Sequence, residues 1–164
     1  IGEQKYYRNA SLEFDQQFTD SFHGTFVSDF TQFNREVILG GRPEIVSALT
    51  FIADGTWKLS KRHALHAELQ YLSTKQDLGN WAMALAEVSI APHYFFYVSD
   101  EINYGDFNFT DVQHYYNIGT AYSLNANRIS LSYGRVREGL LCVGGTCRII
   151  PAYKGLSLSF MSSF

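Results

Sequence analysis

Charge is scarce in this chain. Lys, Arg, Asp and Glu make up 18% of its 164 residues, against roughly 25% in an ordinary soluble domain. The net charge of −3 and the pI near 5.9 leave no basic footprint for nucleic acid, so no nucleic-acid partner is expected. Uninterrupted apolar runs of about 18 residues are also missing, which excludes a transmembrane helix. That absence leaves a β-barrel open, because a barrel strand shows lipid only every second residue. A basic, apolar signal segment is missing at the start; either it was removed or the beginning of the protein is missing. Cysteine occurs twice and helical periodicity is nearly absent.

Aromatic residues are plentiful instead: 16% of the chain, with 13 Phe and 11 Tyr. They fall into period-two patterns. In 7–19, Leu12, Phe14 and Phe18 alternate with Glu13, Asp15 and Gln17. In 22–34, Phe22, Phe26 and Phe30 oppose His23, Thr25, Asp29 and Thr31. Segment 45–57 reads as a strand of unclear facing, and in 63–74 Leu65, Ala67, Leu69 and Tyr71 oppose His66, Glu68 and Gln70. The Ala-rich 80–91 is apolar on both faces, a strand with a helix as the alternative. Segment 93–104 is aromatic on both faces. Strands follow at 113–124 and 127–137, and a last one at about 149–164.

These segments are long beside the usual 5–6 residues of a globular strand, and strands of about 10 residues span a bilayer when tilted. The face opposite the apolar one carries Ser, Gly, Thr, Ala and Asn rather than the Lys and Glu of a sandwich, which suits a wet, crowded lumen. Tyr71, Trp57, Trp81, Tyr94, Tyr104 and Tyr122 sit near strand ends, where interfacial girdles fall. The links alternate short and long, as the periplasmic turns and external loops of outer-membrane barrels do. The expectation is a single domain over 1–164, all-β, an antiparallel up-and-down transmembrane β-barrel of about eight or nine strands. With nine strands and the last one descending to the periplasm, the first begins outside the cell. Complete bacterial barrels have even strand numbers, so the chain is expected to be the C-terminal part of a larger barrel. Merging two segments would give an eight-stranded barrel instead.

Cys142 and Cys147 bracket Gly144 and Gly145 in "LLCVGGTCRI". They are expected to form a disulfide across a loop tip, implying an oxidising compartment; two free thiols are the alternative. Zinc needs more ligands than this stretch offers. His63 and His66 lie three apart, on opposite faces of a strand, so no metal site is expected. Glu68, Glu87, Asp100 and Glu101 are read as lumen carboxylates hydrogen-bonded to Arg or Tyr. Ser73, Ser89 or Ser99 with His66 or His93 could pair as nucleophile and base, but nothing singles one out, so no catalytic residue is assigned. "VGGTC" lacks the Lys of a phosphate loop, and no cofactor is expected. The positive charge of "RVREG" and Arg148 is read as pairing with loop carboxylates or lipopolysaccharide phosphates.

Two C-terminal stretches, "HYYNIGTAYSL" and "RISLSYGRVREGLLCVGGTCRIIPAYKGLSLSFMSSF", carry a Tyr-Gly-Arg strand end, a Cys-x-Gly-Gly-x-Cys-Arg loop, Pro-Ala and an alternating last strand. They resemble the end of a family of uncharacterised outer-membrane β-barrel proteins of Bacteroidota. "NWAMALAEVSIAPHYFFYVSDEINYGD" is similar in style. The resemblance covers about half the chain well. It implies a bacterial outer-membrane location and longer relatives, and assigns no activity. The terminal alternation resembles the signal read by the barrel-assembly machinery, carried by Leu156, Leu158, Phe160 and Phe164 on the lipid face, with Ser162 departing from the pattern. The expected function is a passive, porin-like channel or transport component. The alternative is a non-enzymatic scaffold or subunit of an outer-membrane complex, for which "FNREVILGGRPEIV" is a candidate external patch. Expected partners are outer-membrane lipid and lipopolysaccharide, the assembly machinery during biogenesis, and an outer-membrane protein. A barrel enzyme and a soluble ligand-binding barrel rank below these.

Overall fold

A computed structural model describes residues 6–38, 44–76, 78–105, 112–143 and 146–162; for 140–143 and 146–148 it describes the backbone alone. Its elements are β1 (Tyr7–Thr19), β2 (Phe22–Asn34), α1 (Arg35–Ile38), β3 (Ile45–Lys58), β4 (His63–Thr74), β5 (Asn80–Ile90) and β6 (Tyr94–Gly105). They continue with β7 (Gln113–Leu124), β8 (Asn127–Val136), β9 (Gly139–Val143), β10 (Thr146–Ile150) and β11 (Tyr153–Ser162). The architecture is all-β. Nine strands form one antiparallel up-and-down sheet in the order β1-β2-β3-β4-β5-β6-β7-β8-β11, and β9 and β10 form a separate hairpin. Among the described residues β1 and β11 do not pair with each other, so the sheet is open.

The period-two reading located the strands within a residue or two from β1 to β8. It missed the one-turn α1. The Ala-rich 80–90 is a strand, because both its edges are taken by ladders to β4 and β6. The larger correction concerns the C-terminus. The segment 149–164 is not one strand: residues up to Ile150 belong to the β9–β10 hairpin, Pro151 and Ala152 break the chain, and the last strand begins at Tyr153. Proline lacks the N–H a ladder needs, so the break falls where the sequence removes a donor.

Register carries the alternation across the whole sheet. One row runs Asp15, Thr25, Asp54, Glu68, Leu85, Ser99, Asn117, Gly134, Gly155. Another, on the opposite face, runs Phe22, Trp57, Leu65, Val88, Phe96, Thr120, Leu131, Leu158. The sheet therefore has a polar face and an apolar face. The facing of β3 is settled the same way: Thr50, Ile52 and Asp54 are polar-face, Leu49, Phe51 and Ala53 apolar-face. In β6, Phe95 and Tyr97 share the polar face while Tyr94, Phe96 and Val98 share the other.

Burial follows the polar face, not the apolar one. Leu85, Glu87, Tyr97, Asn117, Ala121 and Ser132 are buried, whereas Phe26, Leu69, Val98, Ile118, Leu131, Leu156 and Phe160 are exposed. On the polar face Tyr97 lies over its cross-strand partner Gly119, where an added Cβ would stand 2.6 Å from the phenolic oxygen. Asn117 donates to Tyr97 (3.3 Å), the Tyr153 hydroxyl donates to Asn117 (3.3 Å), and Ser132 and Tyr153 are hydrogen-bonded at 2.9 Å. A small residue under a ring, tied by amides and hydroxyls, knits β6, β7, β8 and β11 from the inside.

Gly134 is the tightest point of this lattice: a Cβ there would meet the Tyr116 carbonyl oxygen at 2.1 Å. Backbone cannot yield as a side chain can, so Gly134→Ala is expected to destabilise the sheet by about 1–3 kcal/mol, the range for overpacking. Gly139→Ala, where nothing lies within 4 Å, is expected to leave stability unchanged. Thermal loss of the β-sheet circular dichroism signal checks both; equal melting of Gly134→Ala and wild type would refute the packing account.

Candidate functional site

The two ends of the sheet differ. At one end the links are short: residues 20–21, 59–62, 91–93 and 125–126. Asn125 takes φ 54° in the last of these, a left-handed conformation Asn tolerates better than most residues. Ser60 shapes the second: its Oγ accepts from the backbone N of Arg62 and His63 and contacts His63 Nδ1 at 2.8 Å. At the other end the links are longer and include α1 and the β9–β10 hairpin.

Rings gather at the short-turn end of the apolar face. Phe18 stacks on Phe22 (5.5 Å) and Phe22 on Trp57 (4.4 Å). The rings lie across Gly24 and Gly55, where a Cβ would meet Phe18 at 3.2 Å and Phe22 at 3.1 Å. Farther round, Tyr94 and Tyr122 sit 5.1 Å apart. Of the residues expected in a girdle, Trp57, Tyr94 and Tyr122 are placed there. Trp81 instead faces the polar side and Tyr104 is buried. Towards the long-link end the apolar face stops at Asp100, His114 and Lys154, which occupy apolar-face register positions; Asp100 and His114 pair at 2.8 Å.

The polar face carries the charge. By register, Glu13, Asp15, Asp29, Asp54, Glu68, Glu87 and Glu101 all lie on it. Asp15 accepts from Thr25 (2.8 Å) and bonds His23 (3.1 Å). Asp29 accepts from Asn9 and Thr31, each at 2.7 Å. His66 Nε2 bonds Asp54, and Gln70 donates to Glu68. Of Glu68, Glu87, Asp100 and Glu101, expected to bond Arg or Tyr, Glu101 does so: Arg137 reaches it through Nη2 (2.8 Å) and Nε (3.1 Å). Asp100, read as a lumen carboxylate, belongs to the other face.

Glu101 and Arg137 anchor the most enclosed part of this face. The Arg137 guanidinium lies 4.3 Å over the Trp81 ring, Trp81 stacks with Tyr115 (5.9 Å), and Arg135 lies 4.8 Å over Tyr115. Two cavities flank the ion pair. One, about 250 Å³, is lined by Phe33, Val46, Thr50, Leu72, Trp81 and Met83. The other, about 340 Å³, is bounded by Glu68, Leu85, Tyr115, Asn117, Glu138 and Ile150. Glu138, Gly139 and Ile150 flank the β9–β10 hairpin, so the base of the hairpin closes over the polar face, and Ile150 is buried there.

The other sequence-selected residues fall apart chemically. His63 pairs with Ile90 and His66 with Glu87, on opposite faces. His93 contacts the Ser123 carbonyl oxygen at 2.7 Å. Ser89 is 3.5 Å from the Ala64 carbonyl, Ser99 lies on the polar face and Ser73 on the other. Among the described residues none of these serines bonds His66 or His93. Leu156, Leu158 and Phe160 face the apolar side opposite Tyr133, Leu131 and Ile129; Phe164 lies outside the described residues. Cys142 and Cys147 are direct cross-strand partners in the β9–β10 hairpin, their side chains lying outside the described residues. In the candidate patch 33–46, Arg35 pairs with Glu44 at 3.8 Å and Val37 and Ile38 are exposed. The cluster around Trp81, Arg137 and Glu101 was missed by sequence reasoning. Parity within each strand could not join Trp81 to Glu101, because only the β5–β6 register puts them on one face.

The profile of a family of unknown function, DUF6029, matches residues 1–164. The chain belongs to this family. No curated protein and no solved structure matches it. This DUF6029 chain thus carries two unlike faces, with an ion-paired enclosure on the polar one.

Proposed function

We propose that this DUF6029 protein is an integral outer-membrane β-barrel component, a member of the Bacteroidota barrel family its C-terminal motifs resemble, and that it acts as a passive, cation-preferring channel without enzymatic activity. The observation that carries the reading is the inverted burial: many large side chains of the apolar face are exposed, while most of the buried residues of the sheet lie on the polar face. Soluble proteins rarely expose contiguous apolar patches beyond a few hundred Å². Lipid is the solvent that such a face fits. Eight residue steps separate Phe22 from Phe30, roughly 20 Å along the axis of a strand tilted about 40°, close to the ~25 Å apolar band of outer-membrane barrels.

Lipid also governs the edges. In hydrocarbon every backbone N–H and C=O needs a partner, and among the described residues β1 and β11 each offer one unpaired edge. Strands beyond these nine then complete the wall. The polar face becomes the lumen, and its carboxylates favour cations. A second reading, a scaffold subunit with a blocked lumen, draws on the closure of the long-link end by Arg137, Glu138 and Ile150. In either case the hairpin faces outward, and direct pairing of Cys142 with Cys147 brings their Cα atoms to about 4.5–5.5 Å, within disulfide range.

Two experiments follow. Purified membranes washed at alkaline pH are expected to retain the protein, and its intact mass tells one longer polypeptide from several copies. In planar bilayers, the reversal potential in a salt gradient is expected to report cation preference, and Arg137→Ala, which leaves Glu101 without its partner, to raise conductance and sharpen that preference. Recovery in the soluble fraction refutes the membrane reading; membrane retention with no conductance in wild type or Arg137→Ala favours the scaffold. Separately, maleimide labelling of Cys142 and Cys147 is expected only after reduction. Labelling of the unreduced, freshly purified protein would mean free thiols.

A further inference from the structure

Asp54, His66 and Glu68 meet on the polar face near the middle of the sheet. Asp54 in β3 stands directly opposite Glu68 in β4, and His66 lies two residues before Glu68 on the same face. One ligand atom from each residue, an imidazole nitrogen or a carboxylate oxygen, lies within 4.8 Å of the other two, and all three side chains are half-buried. Glu87 faces His66 from β5 and is itself buried. Three carboxylates and one imidazole thus share a small patch. The only Lys or Arg on the polar face of β2–β5 is Lys58, the last residue of β3.

Asp54 and Glu68 together carry more negative charge than the one imidazole between them can offset. We propose that Asp54, His66 and Glu68 bind a divalent cation of the zinc class on the polar face. Mixed nitrogen and oxygen ligands suit zinc, at about 2.0–2.2 Å each, whereas calcium and magnesium prefer oxygen alone. Tetrahedral ligands at that range stand a little over 3 Å apart, so modest side-chain rotation brings these donors onto an ion. The ion takes His66 Nε2 from its hydrogen bond with Asp54, and both carboxylates remain as ligands. Gln70, which donates to Glu68, holds that carboxylate in place, as outer partners of metal ligands do. Three protein ligands leave a fourth position open to water or a passing solute.

The register creates this site whatever solvent covers the apolar face, so it does not rest on the membrane reading. The test uses the full chain, folded in detergent, or in buffer if it fractionates with soluble protein. It is stripped with chelator and kept oxidised. Zinc is titrated at pH 7 in competition with a chromophoric chelator. One zinc per chain is expected, with no displacement by excess magnesium. His66→Ala and Glu68→Gln are each expected to weaken binding roughly tenfold or more. His63→Ala, on the other face, is expected to leave binding unchanged. Circular dichroism and heat-modified electrophoretic mobility check that each variant folds; because Glu68→Gln keeps its shape, it carries the test if His66→Ala does not fold. Absence of stoichiometric zinc binding in the wild type overturns the proposal. So does binding that folded His66→Ala and Glu68→Gln leave unchanged, which would make Asp54–His66 a simple ion pair.

Discussion

Everything in this structure depends on a register that does not slip. Side chains alternate with a period of two, so a shift of one residue in any ladder would send a whole strand's apolar set to the polar face. The irregularities in the main sheet fall at strand ends, between Gln17 and Thr19 and between Asn80 and Trp81. Between them the rows run unbroken across nine strands. The polar and apolar faces exist only because of that continuity. Short turns such as Asn125-Ala126 help to fix it, since a two-residue connection leaves little freedom in how its strands pair.

The same register explains where the sheet is dense. The polar face holds most of the buried side chains, and small residues relieve its crowding. Gly119 beneath Tyr97 and Gly134 against the Tyr116 carbonyl are the sharpest instances. The polar groups around them are joined to one another: Tyr97, Asn117, Tyr153 and Ser132 form one chain of hydrogen bonds. A buried polar group is costly unless it is satisfied. The wall is thus tightest on the side of β6, β7, β8 and β11, and most acidic from β1 to β6.

Much of this was legible in the sequence, because alternation is a local property. Leu12, Phe14 and Phe18 against Glu13, Asp15 and Gln17 reveal both a strand and its two faces. The boundaries of β1, β2, β4 and β7 can be read directly. Three strands hid their facing: β3, β5 and β6 carry apolar residues on both sides, and only pairing with neighbours tells Phe51 from Ile52, Ala84 from Leu85 or Phe95 from Phe96. The site was less legible for the same reason. Asp54 and Glu68 stand fourteen residues apart in sequence, and their approach depends on how the 59–62 turn sets the β3–β4 register. His66 was weighed against His63, its neighbour in sequence, whereas its real company comes from across the strands. Arg137 was read as the last residue of the strand 127–137, whereas β8 ends at Val136 and the Arg137 guanidinium lies over Trp81.

One asymmetry bears on what the wall encloses. Every residue of β1 is exposed, on both faces, although its polar face carries Asn9, Ser11, Glu13, Asp15 and Gln17 in the same pattern as the buried interior of later strands. A strand at the natural limit of a soluble sheet usually guards its edge with Lys, Pro or a bulge. β1 has neither Lys nor Pro within it, and its single irregularity sits at the turn. The apolar face of β11 is likewise unguarded, with Leu156, Leu158 and Phe160 all exposed. Apart from Lys154 at the long-link end of β11, both edges therefore keep the alternation of interior strands. On the outer-membrane reading, such edges are seams at which the wall continues, and the acidic side of the lumen extends past β1. The lumen is then wider than nine strands alone would enclose, since barrel diameter grows with strand number. Closure of one end by Arg137 and the hairpin base would narrow such a lumen without filling it.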